Sequence, residues 1–113
     1  MESLRTGVML DGVDLHVTRV MRGNFGSLDA AQPLTWTLVD FEVADSDVDQ
    51  LSRWLRDSLQ DGAWYCDFRS DSEVFVVFSG QIFRYGRGEV AGREVAVSLG
   101  RSRGVPKSQL DWP

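Results

Sequence analysis

One stretch of this sequence leaves little choice of conformation. From Val48 to Leu59, apolar side chains recur at intervals of three and four, at Val48, Leu51, Trp54, Leu55 and Leu59, while Arg53, Arg56, Asp57 and Gln60 take the opposite side. That period belongs to a helix and puts one oily stripe on a helix over about residues 46–60. Asp47 and Asp49 suit the positive end of the helix dipole, Ser46 with Asp49 makes a looser form of the capping box, and Gly62 is placed to stop the helix. Such a stripe must be roofed by another layer, and everything else in the chain able to roof it reads as strand.

Ahead of the helix, two apolar-bearing runs between Leu4 and Val20 flank Asp11-Gly12, which predicts a tight-turn hairpin with Val13, Leu15 and Val17 on one face. Met21 to Pro33 has no sustained period and reads as a loop. Leu34 to Val43 is apolar in both strand phases, as expected of a strand with a bulge near Leu38 or one covered on both faces. After the helix come four runs with short connections, Ala63–Arg69, Glu73–Ser79, Gln81–Arg87 and Arg93–Arg101, a pattern that predicts an antiparallel meander with Val74–Phe78 at its centre. The expected fold is therefore α+β: a single antiparallel, strongly curled sheet of six to seven strands, in the order β-β-β-α-β-β-β-β, with one amphipathic helix packed on it. One helix covers only part of one sheet face, so the remaining apolar surface argues for a strongly bent sheet or a homodimer.

At 113 residues the chain is the size of one domain, read here as residues 1–113 with an irregular tail over 102–113. In that tail Val105, Leu110 and Trp112 can pin the chain onto the body, and Trp112, beside the chain end, is the tryptophan expected at an exposed or interface position. Cys66 is the single cysteine, which fits a reducing compartment; no apolar run near the N-terminus is long enough for a signal sequence or a membrane span. The expected location is cytoplasmic, with no membrane association. Basic residues are almost all arginine, which points to a GC-rich, bacterial genome. Residues 1–62 carry five Arg against eleven Asp and Glu, a balance of −6, whereas residues 63–113 carry seven Arg and Lys against six acids, a balance of +1.

Few residue constellations point to chemistry. Zinc is excluded by a single histidine, His16, and a single cysteine, and no metal or other cofactor is expected. Asp45, Asp47 and Asp49 have the spacing that opens a calcium loop, but the required glycine is missing and a helix starts where the loop should continue. His16 and Cys66 are the obvious base and nucleophile, yet nothing around them resembles an activated turn, and both are read as structural. Asp40, Glu42 and Asp67 could face a cavity as acid catalysts. Gly86-Arg87-Gly88 leads into more turn and strand, so no phosphate cradle is expected.

Two charged surfaces remain. Arg84, Arg87, Arg93, Arg101, Arg103 and Lys107, interleaved with Phe83 and Tyr85, would make a basic face on adjacent strands suited to RNA or single-stranded DNA, although an overall charge of −5 weighs against nucleic acid. Opposed to it is the acidic run Asp40, Glu42, Asp45, Asp47 and Asp49. The favoured function is a non-enzymatic protein-interaction module, of the inhibitor, immunity or accessory kind, presenting Asp45, Asp47, Asp49 and Trp112 to a basic protein partner. The alternatives are a small-ligand binder or enzyme with a pocket between curled sheet and helix, bordered by the loop Met21–Pro33, and the nucleic-acid reading through the arginines.

Overall fold

A computed structural model describes residues 2–24 and 33–113. Along the chain lie β1 (Leu15–Asn24), β2 (Thr35–Val43), a short 3-10 turn (Asp45–Asp47), α1 (Val48–Ser58), β3 (Tyr65–Arg69), β4 (Glu73–Phe78), β5 (Gln81–Gly86), α2 (Val90–Ser102) and a second 3-10 turn (Lys107–Gln109). The strands form two separate antiparallel sheets, β1-β2 and β3-β4-β5.

The alternation of β4 sets the layering. Val74, Val76 and Phe78 pack against Ala96 and Val97 of α2, while Val77 points to the other face and joins Leu51, Leu55 and Leu59 at α1. Apolar residues in both phases of β4 are thus explained by a helix on each side of the three-stranded sheet. The oily stripe of α1 is buried as expected, and Asp45 and Asp49 at its leading end are exposed. The capping box does not form, because the helix is entered through the 3-10 turn and Asp47 makes no side-chain cap bond.

The expected single curled sheet around one helix is overturned: the described residues form two helices and two sheets, of two and three strands, neither strongly curled. The first arm of the predicted hairpin is not a strand. Gly12 does take a positive φ of 78°, but so does Gly7 at 88°, and of Leu4–Leu10 only Leu4 makes a bridge, to Leu59. Backbone bonds from Arg5 N to Ser58 O and from Gln60 N to Ser3 O hold that seam. The run Arg93–Arg101 is helix, since Ala96, Val97 and Gly100 are spaced to bury one side of α2 against a sheet face that would otherwise be bare.

Two glycines allow close packing there. A Cβ at Gly92 would lie 2.5 Å from Cβ of Tyr85, and one at Gly100 would lie 2.8 Å from Cδ2 of Leu110. The expected bulge near Leu38 falls instead on the partner strand, between Val17 and Arg19. β1 also continues through Asn24 into the segment expected as loop, of which residues 25–32 lie outside the described residues.

The tail is fastened to the body. Trp112 is 2% exposed, edge-on to Tyr65 at 5.2 Å and to Phe78 at 6.2 Å, and Arg93 donates from Nε to Trp112 O (2.6 Å) and from Nη2 to Leu110 O (3.2 Å). The expectation of an exposed Trp112 is corrected accordingly: the indole fills the core between α2 and the sheet.

Candidate functional site

The two sheets approach through the unpaired edges of β2 and β3 without joining. Trp36 meets Trp64 edge-on at 5.7 Å, and further along Phe41 leans on Phe68 at 6.2 Å, so the two strands run side by side in the same direction. No ladder connects them. Between them lies a trough made of two adjoining cavities. The first, about 450 Å³, is lined by Trp36–Phe41, by Trp64–Asp67, by Leu51, Trp54, Leu55 and Leu59 beneath, and by Leu4, Val8 and Leu10. The second, about 930 Å³, is lined by Val39–Val43, Asp67–Glu73, Asp45, Val48, Asp49, Phe75 and Arg84. Val39, Asp40, Phe41 and Asp67 border both. Unbroken runs of consecutive residues line the walls, as a strand seen along its edge provides, whereas a strand seen face-on offers every second residue.

The first cavity is apolar and the second is acidic. Around the second stand Asp40, Glu42, Asp45, Asp49, Asp67, Asp71 and Glu73, seven carboxylates against two arginines, Arg69 and Arg84. Both arginines are engaged: Arg69 pairs with Asp67 at 3.1 Å, and Arg84 pairs with Glu73 and with Asp49 at 3.4 Å while lying 4.9 Å above the Phe75 ring. Phe75 stacks on Phe68 at 5.1 Å and 13°, which gives the cleft an aromatic base. Asp40 is paired with Arg19 at 2.7 Å, and Glu42 stands 3.5 Å from His16. Asp45 and Asp71 have no ion pair among the described residues.

Asp67 sits where the cavities meet. Burial raises its pKa above the usual carboxylate range, and the Arg69 guanidinium only partly offsets that. Burial, with the Asp67 charge beside it, also pushes the Cys66 thiol up to about 12, so the sulfur is protonated and unreactive at neutral pH. At the far end, the Thr37 amide donates to Glu2 Oε1 at 2.8 Å, and Arg22 Nη1 donates to the same oxygen at 2.9 Å. These bonds and the amide of Glu2 itself hold the Glu2 carboxyl below its ordinary range; its own amide is the largest contributor.

Of the sequence-predicted partner residues, the structure brings Asp45 and Asp49 to the trough, leaves Asp47 off its walls and sends Trp112 to the core. Asp40, Glu42 and Asp67 do border a cavity. His16 lines neither cavity, is exposed, and makes no hydrogen bond with Cys66. The arginines do not share a strand face. Arg84 is on β5, Arg87 follows it and donates to Ser70 O, Arg93 and Arg101 are on α2, and Arg103 beyond α2 donates to Ser79 O. Lys107 lies in the second 3-10 turn.

The aromatic walls Trp36, Phe41, Trp64, Phe68 and Phe75 are not among the sequence-predicted site residues; the two-phase apolar pattern of Leu34–Val43 is a signal for Trp36 and Phe41 alone. Among the described residues no group of His, Cys, Asp and Glu is placed to hold a metal ion, and no helix is long and apolar enough to cross a membrane. Comparison with known proteins finds no matching family model, no matching curated protein and no matching solved structure, so any function must be argued from the trough itself.

Proposed function

We propose that this chain is a non-enzymatic interaction module that captures a basic segment of a partner protein in the trough between β2 and β3. The observation that carries this reading is the acidic cleft, where seven carboxylates face two arginines over the stacked rings of Phe68 and Phe75. Lysine or arginine side chains entering it meet, at the rim, Asp45 and Asp71, which have no ion pair among the described residues, so the cleft attracts cations by charge. The protonated thiol of Cys66 and the distant His16 favour binding over catalysis.

A synthetic arginine-containing peptide with alternating valines tests it, with a glutamate-for-arginine version as control. Isothermal titration at low salt should show binding of the basic peptide alone, weakening as salt screens the charges. The double reversal Asp45→Lys with Asp49→Lys should slow association by an order of magnitude or so. Equal binding of both peptides, or indifference to the reversal, overturns the proposal. A second reading rests on the apolar cavity, whose 450 Å³ is within the size of small-molecule sites. It requires that a neutral apolar probe raise the melting temperature and that a bulky residue at Val8 abolish the effect.

A further inference from the structure

We infer that the partner segment is held as a strand, inserted between β2 and β3 antiparallel to both, so that the two sheets become one sheet of six strands. The inference rests on the reading of the trough as a site for a basic segment and adds the geometry and direction of capture.

Three observations carry it. The first is that both walls are strand edges without a ladder partner among the described residues. On β2 the Thr37 amide points away from β1 toward the trough, and the Glu2 carboxylate accepts it. Amides alternate sides along a strand, so those of Val39 and Phe41 point the same way, toward the gap. The second is width: strands in a ladder lie about 4.8 Å apart, so an inserted strand needs walls roughly twice that distance apart. β2 and β3 share no ladder, and over most of their length their Cα atoms stay more than 8 Å apart, which leaves the backbones beyond ladder distance.

The third is direction. Because β2 and β3 run the same way, a single strand can be antiparallel to both, the arrangement whose hydrogen bonds are straight and the commoner pairing in sheets. Such a strand enters with its N-terminal end between Val43 and Arg69, among the carboxylates, and leaves with its C-terminal end between Trp36 and Trp64, over apolar α1. The occupant is therefore an extended segment with Arg or Lys in its N-terminal half and Val, Ile or Thr in its C-terminal half. Charge complementarity selects this occupant over a second copy of the chain, whose own unpaired edges carry paired charges at Arg19 and Arg22. Glu2 occupies the amide of Thr37 until the carbonyl of the incoming strand replaces it.

The test uses the full chain and three synthetic peptides: one with alternating Arg and Val followed by alternating Thr and Val, one with the same sequence reversed, and one with the forward sequence N-methylated at two adjacent central amides. N-methylation leaves charge and side chains intact and deletes main-chain donors on both sides of the inserted strand. The forward peptide should bind, the methylated one should bind roughly tenfold more weakly or worse, and the reversed one should also be weaker. On binding, amide exchange should slow at Val39 and Phe41. Equal affinity of methylated and forward peptides, or unchanged exchange at Val39 and Phe41, overturns strand insertion and leaves capture of a basic segment standing. Absence of binding by any basic peptide removes both.

Discussion

Asp67 is the residue at which burial and charge compete most directly. Its folded pKa is raised by desolvation, so the folded state holds a proton that the unfolded chain has already lost. Stability therefore falls as pH climbs from the ordinary carboxylate range through the raised one, and the penalty is fully present above it. Asp67→Asn should unfold at higher urea than the parent at neutral pH, and the two should converge as pH drops below the ordinary carboxylate range. A variant less stable than the parent at neutral pH would mean that the Arg69 pair outweighs desolvation. The sequence allowed Asp67 a place on a strand facing a cavity, but its burial was not readable there. The same distinction misplaced Trp112: proximity to a chain end suggests exposure, yet nothing local reveals that Arg93 takes up the carbonyls of Trp112 and Leu110.

At the scale of elements, α1 was legible because a period of 3.6 sustained over three turns has no competing explanation, and β4 because five apolar residues in both phases demand cover on two sides. α2 was not, since Glu94-Val95-Ala96-Val97-Ser98-Leu99 satisfies strand alternation as well as a helical stripe through Ala96, Val97 and Gly100. The bare second face of the β3-β4-β5 sheet decides between them, and that face exists only once the strands are assembled. Val95 is 59% exposed and Val97 is 5% exposed, whereas a strand would put both on one face. Val95→Lys should change stability by no more than about 0.5 kcal/mol, while Val97→Lys should be destabilising by several-fold more or unfold the chain, because it buries an unpaired charge. Thermal melts of the two variants check this, and equal effects would return the segment to strand.

Across the whole molecule, cover and recognition are divided between two structures. The three-stranded sheet with a helix on either face holds both clusters of buried residues, and the β1-β2 ribbon adds a wall whose outer strand is largely exposed. The tail belongs to the first of these. Chains ending at Gly104 lose Val105, Leu110 and Trp112 from the core and leave Arg93 without two carbonyl acceptors. Each large apolar side chain lost from such a core costs about 3 kcal/mol, so the shortened chain should lack a cooperative melt even though every sheet hydrogen bond is still encoded. A sharp transition in it would show the tail to be dispensable.

The seam between Leu4 and Leu59 has a kinetic meaning as well as a static one. It joins positions more than fifty residues apart, as the Arg5 side-chain bond to Leu59 O also does across 54 residues. Closing so long a loop returns little until α1 and β4 are already in place, so this clasp is the natural last step of folding and the first to come undone. Leu4 and Leu59 also wall the apolar cavity, so loosening of this clasp would reshape that cavity while leaving the hydrogen bonds of both sheets in place.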